Sequence, residues 1–306
     1  CSAVSGAGIR ASNERTSRRV RLNIKTPWAR RSLNRRNFLR SSAILTAASS
    51  LPLAALAQGR RVDNVGLQLY TLRNELSQDF EGTLEHVAKL GYKEMEFAGY
   101  YGRSASEVRS ILDQNGMTSP AAHIQLQALR DDLEGEIERA AILGQKYIVV
   151  PILPGNQRTI SEYQSTADYL NRAGEVCKRV GIKMGYHNHS FEFEETDGLI
   201  PYDILLDETD ADLVDMELDL YWIRNAGVDP VSYFQNYPGR FSMLHVKDMD
   251  EFGRMADVGS GEINFAKIFS HADIAGFKHF FVEHDQPGNG LASVAVSIYT
   301  VRNIVF

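Results

Sequence analysis

Cysteine is nearly absent from this chain, and its scarcity excludes one class of fold. Of the 306 residues only Cys1 and Cys177 are cysteines. Cys177 lies in the helix-like run AGEVCKRVG, where a core position is expected. A domain without Cys1 holds a single thiol, so no disulfide can form within it, even in an oxidising compartment. The sequence therefore excludes a disulfide scaffold.

A long apolar run is also missing near the start of the chain. The apolar stretch 43–56 is too short, and too rich in serine and alanine, to span a membrane. It follows the adjacent arginines Arg35 and Arg36, and it closes on Ala55-Leu56-Ala57. This order predicts an export signal of the twin-arginine type. We therefore expect a basic leader and signal peptide over 1–57, a single domain over 58–306, a periplasmic or exported location, and no stable membrane insertion after cleavage.

The predicted mature domain has few basic side chains. Residues 1–57 carry eleven of the 33 Lys and Arg residues and one of the 39 Asp and Glu residues, so residues 58–306 carry 22 and 38 and have a formal charge of −16. So acidic a surface repels phosphate backbones and anionic headgroups. We therefore expect neither nucleic acid nor an anionic membrane surface as a partner.

The predicted domain contains an alternating pattern of strand-like and helix-like segments. Short β-branched and apolar runs alternate with longer amphipathic runs, and the starts of the short runs lie 26 to 38 residues apart, about one βα unit. Eight units predict an α/β fold that is a single (β/α)8 TIM barrel. A doubly wound sheet is disfavoured because no G-x-G-x-x-G turn follows the first run. The predicted strands are 65–71, 94–98, 120–124, 147–152, 183–189, 215–222, 241–247 and 279–285.

Helix start and stop signals fill the gaps between these strands. Asp79 is predicted to cap a helix that ends at Gly91. Ser104 and Glu107 have the spacing of a capping box. A third helix is predicted over 159–180. These signals agree with the barrel, because each helix is followed by a predicted strand.

Four of the late strands end in side chains that bind metals: GYHNH (185–189), ELDLYW (217–222), MLHVKD (243–248) and FVEHD (281–285). A barrel gathers the C-terminal ends of its strands at one mouth, where barrel enzymes have their active sites. Imidazole and carboxylate together suit Zn, Mn, Co or Fe better than Ca or Mg alone. For any one residue, a hydrogen-bonded position at the mouth is the plain alternative. Together they predict a divalent-metal site whose ligands are His187 or His189, Asp219, His245 and Glu283.

These motifs, with VGLQLYTLR, LGYKEMEFAGYYG, AAHIQ and VGSGEINF, resemble the sugar phosphate isomerase/epimerase group of xylose isomerase-like barrels over nearly all of residues 62–306. The resemblance implies a (β/α)8 barrel with a divalent metal, often Mn, Co, Zn or Mg, that acts on small sugars or polyols. The group's usual ligands are Glu, Asp, His and Glu, and the last three fall on Asp219, His245 and Glu283. Where the group commonly has the first Glu, this chain has His187-Asn188-His189.

That departure changes the chemistry that the resemblance implies. The group's epimerases use two metal-bound glutamates, one for each face of the sugar. An imidazole can still bind metal or accept a proton near neutral pH, but a single carboxylate base becomes more plausible than two. The leading expectation is a metal-dependent isomerase or epimerase that acts through a metal-stabilised enediolate. The alternatives are a metal-dependent lyase or hydrolase of 3-keto-glycosides and a non-catalytic exported sugar-binding barrel.

Further side chains near the predicted mouth are expected to act on the substrate. Glu283 or an imidazole of the HNH motif, for which His189 is the candidate, would transfer the proton to or from the substrate carbon. Lys247 would neutralise the developing oxyanion, with a solvated rim lysine or a partner of Asp248 as the equal alternative. Substrate contacts are expected at Glu96, His123, Tyr70 and Trp222; a satisfied buried histidine is the alternative for His123, and a core position for Trp222.

Other features receive plainer expectations. The loop Gly259-Ser260-Gly261 could hold a phosphate on its backbone N–H groups, but an ordinary turn is favoured. Four histidines are expected not to bind metal: His86, His271, His279 and His284. The expected partner is a small carbohydrate. The sequence leaves open which sugar and which metal are bound, and whether the chain forms a homo-oligomer.

Overall fold

The computed structural model describes residues 59–306, in which eight parallel strands form a closed barrel. Each strand pairs with its neighbours in sequence, and the last pairs with the first. The predicted (β/α)8 TIM barrel is therefore confirmed. The predicted leader lies outside the described residues, and the boundary at residue 57 stays a prediction. The strands are β1 Val65–Gln68, β2 Glu94–Phe97, β3 Thr118–His123, β4 Tyr147–Val150, β5 Lys183–His187, β6 Val214–Asp219, β7 Met243–Val246 and β8 His279–Val282.

Helices connect successive strands, and a two-stranded antiparallel ribbon, Asp248–Met249 with Met255–Ala256, follows β7. No helix within residues 59–306 has the length and apolar character to cross a bilayer. The helices are α1 Arg73–Gln78, α2 Phe80–Leu90, α3 Ala105–Gln114, α4 Leu126–Asp131, α5 Leu133–Leu143, α6 Ile160–Lys178, α7 Pro201–Glu208, α8 Leu220–Asn225, α9 Pro230–Asn236, α10 Phe265–Phe269, α11 Ala272–Ala275 and α12 Gly290–Asn303, with 3-10 turns at Leu69–Leu72, Gly155–Gln157 and Phe191–Phe193.

The predicted helix signals act as expected. The Asp79 side chain accepts a hydrogen bond from the N–H of Gly82 at 3.0 Å and starts α2, which ends at Gly91 in the left-handed region. Ser104 and Glu107 form a complete capping box at α3. These caps satisfy backbone groups that a helix end leaves unpaired, and they fix where each helix meets the barrel.

All eight predicted strands extend too far at their C-terminal ends, and two of the errors have a common cause. β1 ends at Gln68, whose side chain accepts a hydrogen bond from the N–H of Tyr70 and starts a 3-10 turn. β6 ends at Asp219, whose side chain accepts a hydrogen bond from the N–H of Trp222 and starts α8. Tyr70 and Trp222 are therefore not strand residues, because a polar side chain at the strand end caps the following helical turn.

The barrel interior has an apolar layer below its polar mouth. A separate buried cluster consists of Ala121, Tyr147, Val149, Met243 and Phe281, all on strands. Gly66 leaves room for it, since a Cβ there would collide with the Phe281 ring. The Phe281 ring in turn lies 6.5 Å from the His245 ring. The ionisable residues of the mouth therefore lie directly above packed hydrocarbon.

Candidate active site at the barrel mouth

A cavity of about 420 Å³ opens at the C-terminal ends of the strands. Barrel enzymes bind their substrates at this end. The predicted site residues that line it are Tyr70, His123, His187, His189, Lys247 and Glu283. Arg73 and Asp285 also line the cavity, and neither was predicted from the sequence to contact substrate.

The four predicted metal ligands come together beside this cavity. One atom from each of His187, Asp219, His245 and Glu283 lies within 4.8 Å of the others, and all four side chains are buried. Within the group, His245 Nδ1 lies 2.7 Å from Glu283 Oε2, and His187 Nε2 lies 3.4 Å from Asp219 Oδ2. Because successive strands supply the four residues, the barrel alone brings together side chains spread over about a hundred residues.

Of the two histidines that the sequence left open, His187 belongs to this group. Its Nδ1 lies 2.9 Å from the carbonyl oxygen of Pro151, so Nδ1 carries the proton and donates it. Nε2 is then unprotonated and faces Asp219. Burial lowers the pKa of His187, and the neighbouring His245 lowers it further. The side chain is therefore a neutral imidazole with a free lone pair inside the group.

Lys247 lies at the centre of the site and not at its rim. Its side chain is 1% exposed, and Nζ lies 2.8 Å from Asp219 Oδ2, 2.7 Å from Glu283 Oε2 and 2.8 Å from Asp285 Oδ1. The alternatives of a solvated rim lysine and of a partner for Asp248 are thus both wrong. The expected place of Lys247 beside the substrate agrees with its position in the cavity wall.

The donor set fits a divalent ion. Lys247 Nζ, His245 Nδ1 and Glu283 Oε2 are buried and lie close together, yet none has a partner in hydrogen-bonding geometry among the described residues. Two imidazoles and two carboxylates are ligands that Zn, Mn, Co and Fe accept. Buried carboxylates outnumber Lys247 in this region, and a cation among them would offset their desolvation. Residue groups that could hold a metal are therefore present at the predicted place.

A second group of ionisable side chains lies deeper in the barrel. It consists of Glu96, His123, Glu217 and His245, and its ligand atoms also lie within 4.8 Å of one another. His123 Nε2 lies 2.6 Å from Glu217 Oε2, and His245 Nε2 lies 2.8 Å from Glu96 Oε2. Glu217 was not predicted as a site residue. The signal for it was the alternation within ELD, which puts Glu217 on the same face as Asp219.

Two of the residues that were expected to contact substrate, Glu96 and Trp222, do not line the cavity. Glu96 is fully buried, and its carboxylate contacts His245 and His123. The Trp222 ring lies beside His189 and 5.6 Å from Lys247 Nζ. Both residues were expected at the cavity because each lies at or near the C-terminal end of a predicted strand.

The two carboxyl groups of the second group, Glu96 and Glu217, differ in pKa. Burial raises the pKa of Glu96 to about 7, and the nearby Glu217 adds to this rise. Burial also opposes ionisation of Glu217, but His245 and His123 hold the pKa of Glu217 well below its ordinary value. Glu217 is therefore the ionised carboxylate of the pair.

His189 lies at the cavity wall as a neutral imidazole. Burial, with His187 adding to it, lowers the pKa of His189 to about 2. Its backbone N–H donates to Glu192 at 2.8 Å, and the neighbouring Asn188 accepts from the N–H of Asp219 at 3.0 Å. These bonds fix the segment after β5 against β6.

The glycine-containing loop before β8 is a turn anchored by Asp248. The Asp248 carboxylate accepts hydrogen bonds from the N–H groups of Gly259, Gly261 and Ile263 at 2.9 to 3.2 Å. Their N–H groups are therefore not free for a phosphate, and the favoured reading of an ordinary turn agrees with the structure. A Cβ at Gly261 would collide with Asp248 and with the carbonyl oxygen of Met249.

The other histidines lie outside both groups, as expected. His279 pairs with Glu94 at 2.8 Å at the opposite end of the barrel. His284 Nδ1 accepts from the N–H of Gln286. Neither of the two metal-ligand groups found within residues 59–306 contains His86 or His271.

Fold and site together define a (β/α)8 barrel with a buried, ionisable, potentially metal-binding mouth. The sequence model of one family, the xylose isomerase-like TIM barrels, matches residues 84–295. The chain belongs to this family, and the predicted resemblance is confirmed.

The chain is similar to proteins named as dehydratases and as isomerases or epimerases. It is similar to the inosose dehydratase of Geobacillus kaustophilus (30% identity over 54% of this chain and 61% of that protein) and of Clostridium perfringens strain ATCC 13124 (26% over 68% and 82%). The match to the Geobacillus protein thus spans less than two thirds of that protein's length. Among solved structures, a sugar phosphate isomerase/epimerase from Parabacteroides distasonis ATCC 8503 is similar at TM-score 0.66, with 30% identity over 84% of this chain and 97% of that one. The IOLI protein, solved with a zinc atom bound, has the same fold at TM-score 0.64, with 16% identity over 79% and 99%.

Proposed function

We propose that this protein is a divalent-metal-dependent lyase for a small polyhydroxylated carbonyl compound. It would remove a proton from the carbon next to the carbonyl group and expel the oxygen substituent on the following carbon. The relatives named inosose dehydratase support a keto-cyclitol as substrate. A 3-keto-glycoside has the same arrangement of carbonyl, C–H and leaving group, so it is the second substrate class to test.

One observation carries the choice of elimination. The carboxylates that line the cavity, Glu283 and Asp285, both come from the end of β8 and therefore lie on one wall. Epimerisation by two carboxylates needs one on each face of the substrate. At the position of the first family glutamate this chain has His187, a neutral imidazole whose Nδ1 donates to Pro151. Elimination needs only one base at the reacting carbon.

The chain's own residues divide the work as follows. Glu283 contacts His245 and Lys247 through Oε2, which leaves Oε1 to take the proton from carbon. The electron pair of the broken C–H bond forms the new C=C bond as the C–O bond to the leaving group breaks. The leaving oxygen takes up a proton from the protonated Glu283 or from solvent water and departs as water or an alcohol. Lys247, in the cavity wall, stabilises the negative charge that develops on the carbonyl oxygen.

His187, Asp219, His245 and Glu283 would hold the ion, of which Mn, Zn, Co, Fe and Mg are the candidates. When bound, it supplies Lewis-acid stabilisation of the charge on the substrate oxygens. The zinc atom in the IOLI protein supports this assignment by fold alone.

The test begins with elemental analysis of the mature protein from its native compartment, beside the His245→Ala variant. About one equivalent of a transition metal, lost in the variant, is expected. The metal-loaded protein is then incubated with inosose and with 3-keto-glucosides in deuterated water and followed by NMR. Loss of water or of the aglycone is the expected result. A protein without metal after reconstitution and without turnover would favour the sugar-binding alternative.

Isomerisation or epimerisation is the second candidate. The similarity to the Parabacteroides isomerase/epimerase favours it. So does His123, which lines the cavity from β3 and could exchange a proton on another side of the substrate. In the same NMR experiment this activity would incorporate deuterium at carbon and change the sugar without releasing water or alcohol.

The proposal includes export by the twin-arginine route, since Arg35 and Arg36 precede the apolar stretch 43–56. Replacing both arginines by lysine should retain the precursor in the cytoplasm, which cell fractionation would detect. Appearance of the processed double variant in the periplasm would contradict this part.

A further inference from the structure

We propose that Glu96 is a positioning residue for metal binding, which holds His245 so that its Nδ1 faces Asp219 and Glu283. This inference rests on the proposed divalent-metal site. It assigns Glu96 a role that acts through His245 and not through contact with the substrate.

The geometry of His245 carries the inference. Its Nε2 lies 2.8 Å from Glu96 Oε2 and 3.3 Å from Glu217 Oε2, so two carboxylates face this one nitrogen. Its Nδ1 lies 2.7 Å from Glu283 Oε2 and 3.6 Å from Asp219 Oδ2, and within residues 59–306 it has no partner in hydrogen-bonding geometry. Of the two ring nitrogens, only Nε2 has a carboxylate in hydrogen-bonding geometry among the described residues, so Nε2 keeps its proton when an ion binds at Nδ1.

Glu96 is suited to this task because it cannot move away. It is fully buried, and it comes from β2, whereas His245 comes from β7. The contact therefore crosses the inside of the barrel and fixes the ring from below, while the metal group lies above. A carboxylate that accepts the second N–H of a metal-binding histidine fixes both its tautomer and its orientation.

His187 shows the same arrangement with the opposite nitrogen. Its Nδ1 donates to the carbonyl oxygen of Pro151, and its Nε2 faces the group. The two histidine ligands are therefore each held from behind, one by a backbone carbonyl and one by Glu96. We infer that they bind the ion through different nitrogens, Nε2 of His187 and Nδ1 of His245.

The rival explanation is a second cation within Glu96, His123, Glu217 and His245. Glu96 Oε1 and Glu217 Oε1 are buried and have no hydrogen-bond partner among the described residues, and such a cation would satisfy both atoms. It would need His245 to bind metal through both nitrogens and lose both protons. The single-site arrangement needs no such doubly deprotonated ring.

The experiment compares metal affinity in three variants of the mature protein. Cobalt(II) is titrated into the metal-free protein against a competing chelator, and elemental analysis gives the stoichiometry. Glu96→Leu removes the acceptor and should weaken affinity roughly 10- to 100-fold. Glu96→Gln keeps an oxygen acceptor without the charge and should therefore retain most of the wild-type cobalt affinity. Glu94→Leu is the control, because Glu94 pairs with His279 in the same way on the same strand, far from the site.

The outcomes separate the explanations. Unchanged cobalt affinity in Glu96→Leu would overturn the inference while leaving the metal site intact. Two equivalents in the wild type, with one lost equally in the Leu and Gln variants, would establish the second cation instead. No cobalt binding to the wild type would overturn the proposed metal site, and this inference with it.

A direct measurement covers the case in which Glu96→Leu does not fold. Nitrogen-15 NMR of the zinc-loaded wild type reports which nitrogen of each histidine is protonated. One zinc-bound histidine with a protonated Nε2 and one with a protonated Nδ1 are expected. Binding of both through Nε2 would overturn the inference.

Discussion

Asp219 accepts a hydrogen bond from the N–H of Trp222 through Oδ1 at 2.8 Å, while its Oδ2 lies 2.8 Å from Lys247 Nζ. One carboxylate therefore ends β6, caps α8 and contributes to the ionisable group. Burial would raise the pKa of Asp219, but Lys247 and His187 hold it well below its ordinary value. Asp219 is therefore both a helix cap and a predicted metal ligand, and different substitutions can separate the two roles.

Asp219→Asn should keep the cap and lose the metal ligand, whereas Asp219→Ala should lose both. We expect both variants to bind cobalt at least tenfold more weakly. The Ala variant should also be less stable than the Asn variant by about 1 kcal/mol, the usual contribution of a helix cap. Urea unfolding measures the difference.

Asp229 offers the matched control for the cap. It caps α9 through the N–H of Val231 at 3.0 Å and lies outside both ionisable groups. Asp229→Ala should lower stability by a similar amount and leave cobalt affinity unchanged. Equal stability of Asp219→Ala and Asp219→Asn would show that the hydrogen bond to Trp222 contributes nothing.

Glu283→Gln should bind substrate and lose turnover. The amide cannot take a proton from carbon, so we expect the rate to fall by roughly 10²- to 10⁴-fold. Calorimetry with substrate and a rate measurement separate binding from turnover, and both are made at a cobalt concentration that saturates the variant, because Glu283 is also a metal ligand. Asp285→Asn, in the same segment after β8 and also in contact with Lys247, should lose much less. A larger loss in Asp285→Asn would transfer the role of base to Asp285.

The fold and the group His187, Asp219, His245 and Glu283 could be predicted from the sequence alone because both follow from periodicity. Side chains two residues apart share a face of a strand. In each of the motifs ELD, HVK and FVE, the first and third residues were therefore predicted to lie on the same face. The helix caps at Asp79 and Ser104 were readable because their partners lie three residues away. Local spacing carried these predictions.

What the sequence could not show are contacts across the barrel. Glu96 meets His245 across a separation of 149 residues, and His123 meets Glu217 across 94. Such contacts depend on strand register and tilt, which no local pattern encodes. The strand ends failed for another reason: Gln68 and Asp219 are polar residues whose side chains start a helical turn, which hydrophobicity does not reveal.

Asp248 should be essential for stability and not for catalysis. It is buried, and its carboxylate accepts hydrogen bonds from the N–H groups of Gly259, Gly261 and Ile263. Asp248→Ala leaves these donors without a partner, at a cost of about 1–3 kcal/mol for each one that water cannot reach. We expect a loss of at least about 2 kcal/mol in urea unfolding.

Asp250→Ala is the control for this loop. Asp250 accepts hydrogen bonds from the N–H groups of Phe252 and Arg254 at an exposed position. Its loss should cost less than about 1 kcal/mol, since water can replace the carboxylate. Equal effects of the two substitutions would contradict the anchoring role of Asp248.

Glu192 should make the folded state less stable as pH rises. Its buried carboxylate accepts hydrogen bonds from Tyr186 Oη and from the N–H of His189, both at 2.8 Å. Burial raises its pKa from 4.5 to about 7, although the bond from Tyr186 opposes the rise. The folded state therefore binds this proton more tightly than the unfolded state. The resulting stability is fully present below about pH 4.5 and is lost as pH rises through about 7.

Glu192→Gln should remove this pH dependence while keeping an acceptor for His189. A shift of this size corresponds to roughly 3 kcal/mol of unfolding free energy. Relative to wild type, the Gln variant should gain stability steadily between pH 5 and pH 8 in urea unfolding. Glu194→Gln, on the same segment but exposed, should follow the wild type throughout. If Glu192→Gln also runs parallel to the wild type, the carboxylate is ionised without cost, and the segment after β5 is held by the charge itself.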